Sequence, residues 1–229
     1  MDWESATWEQ FERAITEYRD KEFLGRSSIS GENAYLGIVD ELKAVPIDEW
    51  SRHVDALVLF LNRWNCHLPT KTPETRLALQ GWLGRERPAL EAVARLTLFD
   101  PEVAECREEF GRLYASLISL RDSTDGPRIP TMGDAAASKT LGAMIPPLFV
   151  MWDKVIKKKA GLDYGEFMLR MHDLALDLRD RLAPEEARGD IESYLQHRLR
   201  YPVRKPLAKY LDEYNWWVAW SLGTSAAAT

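Results

Sequence analysis

Apolar residues recur three and four positions apart along nearly the whole chain, and this spacing restricts the fold more than any other feature. One helix face carries the apolar residues Val103, Phe110, Leu113, Tyr114, Leu117 and Leu120. This period matches the 3.6 residues per turn of an α-helix. No stretch alternates convincingly between apolar and polar residues as a half-buried strand would. The pattern therefore predicts an all-α fold, a compact bundle of helices.

Proline residues indicate where several helices begin, because proline is favoured in the first turn of a helix and disfavoured in its interior. Helix starts are predicted at Pro46, Pro73 and Pro101. The most loop-like stretch runs from Asp122 to Pro130 (DSTDGPRIP). We expect one domain over residues 1–229, made of two packed lobes, 1–122 and 123–229, around a central cleft.

The composition is that of a soluble protein, with 45% apolar and 29% charged residues in a chain of 229. No apolar run approaches the roughly 18 residues of a membrane span, and acidic residues interrupt the first 20 positions too often for a signal peptide. Cys66 and Cys106 are too few for a disulfide scaffold, and the four histidines form no metal-binding motif. We therefore expect a cytoplasmic monomer with no metal, no cofactor and no membrane partner.

The net charge of −6 argues mildly against nucleic acid, but two segments of the chain are basic. The first contains Lys154, Lys157, Lys158 and Lys159. The second lies between Glu192 and Asp212, where no acidic residue occurs and the basic residues are Arg198, Arg200, Arg204, Lys205 and Lys209. Because local charge decides whether a phosphate backbone is attracted, these segments are candidate DNA contacts. The alternative is that both are ordinary solvated helix faces.

The segment with the most chemical information is Ile129 to Lys159 (IPTMGDAAASKTLGAMIPPLFVMWDKVIKKK). A turn at Gly133 precedes a helix of small residues, Pro146 and Pro147 end it, and an apolar run leads to Asp153. The free amides at the start of the first helix, around Gly133 and Ala135, are suited to binding a phosphate. Asp134 opposes this, because its own carboxylate can cap those amides and repel an anion.

This segment resembles the helix-hairpin-helix superfamily of DNA glycosylases, whose signature reads roughly L-P-G-V-G-x-x-T-A-x-x-x-L, followed by V-D-x-H. Ile129-Pro130 and Met132-Gly133 match the hairpin turn, and Ala137 and Leu141 match later small and apolar positions. Asp153 lies twenty residues after Gly133, about where the family has its catalytic aspartate. The resemblance covers about thirty residues, and it implies a helix-hairpin-helix motif with Asp153 as the catalytic carboxylate.

Three positions depart from the family pattern. Thr131 replaces the first glycine of the hairpin, and Val155 stands where the family has histidine. Ala135 occupies the position at which bifunctional members keep a lysine that forms a Schiff base. Lys139 lies one helical turn further on and faces the same side, so it either reaches the same pocket or contacts phosphate. The resemblance thus favours a monofunctional enzyme that uses water over a bifunctional lyase.

A second stretch, Leu59 to Pro69 (LFLNRWNCHLP), ends an apolar helix with a polar and aromatic loop. In these glycosylases a loop at the same relative place enters the duplex and fills the gap left by the extruded base. The residues of suitable type are Asn62, Trp64, Asn65 and His67. A core position for Trp64 and a capping role for Asn65 are the alternative. Trp152, beside Asp153, is the candidate for stacking on a flipped base.

The resemblance implies a DNA glycosylase that acts on double-stranded DNA. A damaged or modified base is flipped into a pocket and its N-glycosidic bond is hydrolysed, with Asp153 stabilising the sugar cation and activating water. Lys139 is the second candidate catalytic residue. Candidate phosphate contacts are Gly133, Ala135, Lys154, Lys157, Lys158, Arg204 and Lys205. Such an activity serves base-excision DNA repair or antiviral defence against modified phage DNA. The alternative is a non-enzymatic helical module that binds DNA or protein.

Overall fold

The computed structural model describes residues 3, 6–24, 28–68, 73–120 and 132–224, and these residues form helices joined by short connections. In the described ranges no β-strand occurs, so the all-α prediction is confirmed. These ranges contain ten α-helices: α1 (Trp8–Leu24), α2 (Ser28–Lys43), α3 (Val54–Arg63), α4 (Glu74–Val93), α5 (Arg107–Ile118), α6 (Asp134–Met144), α7 (Lys154–Ala160), α8 (Tyr164–Asp177), α9 (Ile191–Arg198) and α10 (Leu207–Thr224). Short 3-10 and π segments cover Ile47–His53, Pro101–Glu105, Leu178–Leu182 and Glu185–Ala187.

The predicted helix starts correspond to structural boundaries. Pro73 directly precedes α4, while Pro46 and Pro101 each lie at a 3-10 turn that leads into α3 or α5. Two later helices begin with an aspartate that the pattern of apolar residues does not reveal. Asp163 and Asp190 cap α8 and α9 by accepting hydrogen bonds from backbone amides of the first turn.

Helices from the two ends of the chain pack side by side. α1 lies along α10, and α2 contacts α6, while α5 packs against both α6 and α8. These contacts join helices from both sides of residue 122 and mark no boundary between lobes there. The division into two lobes therefore stays a prediction. The small residues of α6, from Ala136 to Ala143, are buried and allow this helix to lie in the middle of the packing.

None of the helices in these ranges combines the length and the apolar character needed to cross a bilayer. The predicted hairpin turn at residues 129–131 and the loop at 122–130 lie outside the described residues, so the helix-hairpin-helix motif stays a prediction.

Candidate functional site

Asp153 caps the start of α7. Its Oδ1 accepts hydrogen bonds from the backbone N–H groups of Val155 and Ile156, both at 2.8 Å. Within the described part of the chain, its Oδ2 accepts no hydrogen bond, and the residue is partly exposed. One carboxylate oxygen therefore fixes the side-chain rotamer, while the other remains open to a ligand or water.

The chain that leads to Asp153 lies directly against α6. The Oγ of buried Ser138 accepts a hydrogen bond from the Trp152 N–H at 3.2 Å and donates one to the Trp152 carbonyl at 2.6 Å. One helical turn further along, a Cβ added to Gly142 would lie 2.6 Å from Cγ of Met151. Ser138 and Gly142 share a helix face, and together they hold the segment before Asp153 against that face.

Lys139 follows Ser138 on α6 and contacts the loop after α3. Its Nζ donates a hydrogen bond to the Trp64 carbonyl at 3.2 Å and lies 4.8 Å from the centroid of the Trp64 ring. A cation over the face of a tryptophan is attracted by the negative potential of the ring. The structure thus brings Lys139 together with the loop that the sequence assigned to base replacement.

The loop at residues 64–68 is closed by Asn62. The Asn62 amide donates to the Leu68 carbonyl at 3.1 Å and accepts from the Leu68 N–H at 2.6 Å. Its predicted role as a partner for an orphaned base is therefore corrected, because both ends of the amide already bond to the protein. Asn65 and His67 are exposed, so they remain accessible to a ligand. Both have left-handed backbone angles, with φ of 57° and 52°.

Trp152 is not available to stack on a base, and this corrects its predicted role. The side chain is 1% exposed and packs among the rings of Tyr114, Tyr164 and Phe167. Its indole N–H donates to the Tyr114 hydroxyl at 3.0 Å. Trp152 therefore anchors the residue before Asp153 in the core.

The start of α6 carries a carboxylate that is already paired. Asp134 accepts hydrogen bonds from the Tyr114 hydroxyl at 2.5 Å and from Nζ of Lys157 at 2.6 Å. Burial, together with the hydrogen bond to Asp134, raises the pKa of Tyr114, so the phenol is protonated and acts as a donor. A phosphate near Gly133 and Ala135 would meet this carboxylate, and Lys157 is engaged by it.

The other candidate phosphate contacts differ in exposure. Lys154 and Lys158 are exposed on α7. Arg204 forms ion pairs with Asp190 and Glu192, both at 3.0 Å. Lys205 is 1% exposed and lies among carboxylates, so its predicted contact with phosphate is wrong: the ammonium is enclosed by protein.

A buried ionic cluster joins α2 to the C-terminal helix α10, and the sequence pattern did not reveal it. Nζ of Lys205 lies 2.6 Å from Glu32 and 2.8 Å from Glu213. Nζ of Lys209 lies 2.9 Å from Asp212 and 3.2 Å from Glu213. These five residues form the buried ionic cluster. The spacing of Lys209, Asp212 and Glu213 on one helix is a signal that sequence reasoning could have used, but the distant Glu32 gives none.

Aromatic rings enclose the buried ionic cluster. Nζ of Lys209 lies 5.3 Å from the ring centroids of both Tyr18 and Trp64, and 5.9 Å from that of Tyr35. The Trp64 ring therefore interacts with two ammonium groups, those of Lys139 and Lys209. Gly31 of α2 permits its close approach, since a Cβ there would lie 2.3 Å from the indole Nε1.

Burial and charge oppose each other within this cluster. Burial alone would raise the pKa of Glu32, but Lys209 and Lys205 hold it below its ordinary value. Burial raises the pKa of Asp212 despite the neighbouring Lys209. Burial lowers the pKa of Lys209, but Asp212 and the other nearby acidic groups more than compensate and hold it well above its ordinary value. Lys209 is therefore an internal cation, and its charge lowers the pKa of both Glu32 and Asp212.

A groove of about 750 Å³ lies at α9 and is lined by Glu186, Asp190, Ser193, Tyr194, His197 and Arg198. None of the residues considered above for base removal lines it. Its walls carry both signs of charge, and two of the lining residues, Asp190 and Arg198, form ion pairs within the protein. The groove is thus separate from the arrangement of Asp153, α6 and the Trp64 loop.

Comparison with known protein families, with curated proteins and with solved structures found no match to this chain.

Proposed function

We propose that this chain is a monofunctional DNA glycosylase that removes a damaged or modified base from double-stranded DNA. The observation that carries the proposal is the state of Asp153, whose carboxylate is fixed through Oδ1 and open at Oδ2. The same helix α6 that holds the segment before Asp153 also bears Lys139 against the Trp64 loop. The thirty-residue resemblance to the helix-hairpin-helix glycosylases supports the same assignment.

In this proposal a flipped nucleotide presents its sugar to Asp153. Breaking the N-glycosidic bond builds positive charge on the sugar, and a fixed carboxylate stabilises that charge more effectively than mobile water would. The open Oδ2 then accepts a proton from the attacking water, and the new bond forms between that water oxygen and the anomeric carbon. The departing base takes the bonding electrons and is protonated from solvent.

Lys139 has a positioning role in this scheme. Its ammonium bonds to the Trp64 carbonyl and lies over the Trp64 ring, which keeps the loop with Asn65 and His67 against α6. The water route agrees with this placement, because a lysine that attacks the sugar must be deprotonated and free. Lys154 and Lys158 are the exposed cations that would meet the phosphate backbone.

The test exploits the cap geometry of Asp153. Asparagine caps helices as well as aspartate does, so Asp153→Asn removes the charge and preserves the start of α7. We expect Asp153→Asn to abolish the formation of abasic sites with little change in the melting temperature. The matched control is Asp163→Asn, which neutralises the cap of α8 and should leave activity unchanged.

The substrates for this assay are duplexes that contain uracil, 8-oxoguanine or alkylated bases, together with genomic DNA from phages with modified cytosines. Release from the damaged bases would favour DNA repair, and release from the phage DNA alone would favour defence. Equal activity of Asp153→Asn and the wild type would contradict the assignment of the catalytic carboxylate.

A non-enzymatic module that binds DNA or protein is the second candidate. It is favoured by one observation: Asp153 caps its helix in the same manner as Asp163 and Asp190, which have no proposed chemistry. DNA binding without abasic sites on any of these substrates would support this function instead.

A further inference from the structure

We infer that the buried hydroxyl of Ser138 positions the Asp153 carboxylate, and that Ser138 is the residue through which α6 controls the proposed reaction. The part of this inference that concerns catalysis rests on the proposed function. The part that concerns geometry does not.

Ser138 bonds more strongly to the segment before Asp153 than to its own helix. A serine in a helix interior ordinarily bonds back to its own helix, and here the contact from Oγ to the Ala135 carbonyl is long, at 3.3 Å. The bond to the Trp152 carbonyl is far shorter, at 2.6 Å, and the Trp152 N–H donates to the same Oγ. A single side chain therefore satisfies both backbone groups of the residue that precedes Asp153.

The backbone before Asp153 is irregular. Residues 149–153 belong to no helix, so their buried N–H and carbonyl groups need partners from elsewhere in the fold. Ser138 is 0% exposed and supplies these partners at Trp152. The Tyr164 hydroxyl does the same two residues earlier, donating to the Val150 carbonyl at 2.9 Å. The direction in which the chain enters α7 is thereby fixed by contacts from α6 and α8.

Contacts before and after Asp153 together fix its position. After it, the Val155 and Ile156 amides hold Oδ1. Before it, Ser138 holds the backbone and the buried Trp152 ring prevents rotation of the segment. Loss of the Ser138 hydroxyl removes the hydrogen bonds that link this segment to the helix with Lys139, so the carboxylate should move relative to the Trp64 loop.

The test compares Ser138→Ala with Thr140→Val. Thr140 is also 0% exposed on α6, but its hydroxyl donates to the Ala136 carbonyl of the same helix at 2.8 Å. Both variants delete one buried hydroxyl, and we assign a positioning role to the hydroxyl of Ser138 but not to that of Thr140. Gly142→Ala is a second route to the same displacement, because its new methyl group would collide with Met151.

The first measurement is amide hydrogen exchange at Val155 and Ile156 by NMR, which does not depend on activity. We expect faster exchange at these two amides in Ser138→Ala, since the Asp153 cap loosens, and wild-type exchange in Thr140→Val. Equal exchange in the two variants would overturn the inference, whether or not the wild type releases a base.

The second measurement is the rate of base release with the best substrate. We expect kcat of Ser138→Ala to fall by up to about 100-fold, since a carboxylate displaced by about 1 Å loses its alignment, while KM stays near the wild-type value. Faster exchange with the kcat of Thr140→Val would overturn the catalytic part. A wild type inactive on every DNA would refute the proposed glycosylase, and the exchange data alone would then decide the geometric part.

Discussion

The two basic segments of this chain look alike in the sequence, but the structure exposes two lysines of the first and buries both lysines of the second. On α7, Lys154 and Lys158 are exposed and face solvent. In the C-terminal segment, Lys205 and Lys209 are each 1% exposed and are surrounded by Glu32, Asp212 and Glu213. A run of basic residues can thus be a surface for anions or the centre of an internal charge network.

The difference arises from what each lysine can reach. α7 has seven residues and begins and ends in short connections, so its outer face remains in water. α10 is packed against α1 along much of its length, and Lys209 on this helix must find carboxylates or lose a large solvation energy, as must Lys205 just before it. Two carboxylates come from α10 itself, and Glu32 comes from α2.

The largest expected effect follows from removing the central cation. Lys209→Met leaves Asp212, Glu213 and Glu32 with less compensation in a buried site. Breaking a buried pair by removal of one partner costs about 3–5 kcal/mol of unfolding free energy. Lys158→Met is the matched control on the exposed segment and should change stability very little. Urea denaturation of both variants measures the contrast, and equal stabilities would show that the comparison of the two segments is wrong.

A second, intermediate effect concerns the dependence of stability on pH. The pKa of Glu32 in the fold lies below its ordinary value of 4.5, so its ionised form contributes stability above that pH. This contribution is lost as the pH falls through the lowered pKa of the folded state. The difference in unfolding free energy between the wild type and Glu32→Gln should therefore be largest near neutrality and should shrink below about pH 4.5.

The exposed Glu102 provides the control for this measurement. Glu102→Gln should shift the stability curve little at any pH, because exposed charges are well solvated. Thermal unfolding of the three proteins from pH 3 to pH 8 is enough for the comparison. A constant difference between the wild type and Glu32→Gln over this range would contradict the role of Glu32 in the buried ionic cluster.

The smallest expected effect tests the exposed segment and rests on the proposed binding of DNA. In Lys154→Gln/Lys158→Gln, log K should fall less steeply with log salt concentration. Each lost phosphate contact should reduce the magnitude of this slope by about 0.9. The double variant should bind all duplexes more weakly and keep the wild-type stability. Lys43→Gln, on the exposed side of α2, is the control. An unchanged slope would remove α7 from the DNA-binding surface.

The Trp64 ring connects the buried ionic cluster to the proposed site. Trp64 interacts with Lys209 on the side of the cluster and with Lys139 on the side of α6. The contacts of the Trp64 ring therefore hold the loop with Asn65 and His67 against the core. Trp64, a candidate in the sequence for insertion into a duplex, instead packs between the two cationic side chains of Lys139 and Lys209.

Local sequence was enough to determine the helices and several of their starts. The three- and four-residue spacing from Phe110 to Leu117 places one face of α5 in the core, and Pro73 precedes α4 because proline fits the first turn of a helix. Asp153 could also be singled out, because a carboxylate after an apolar run and before a basic helix is a local pattern. These properties depend on neighbours within a few residues, and a sequence displays such neighbours directly.

Only the tertiary structure decided which polar side chains are available. Trp152 and Lys205 are buried, and Asn62 is used to close a loop, because partners from other parts of the chain surround them. Ser138 acquires its importance from a contact with Trp152 across a break in the helices. Helix formation follows from local periodicity, whereas the burial of a charge or hydroxyl depends on groups that are distant in sequence and become neighbours only when the helices pack.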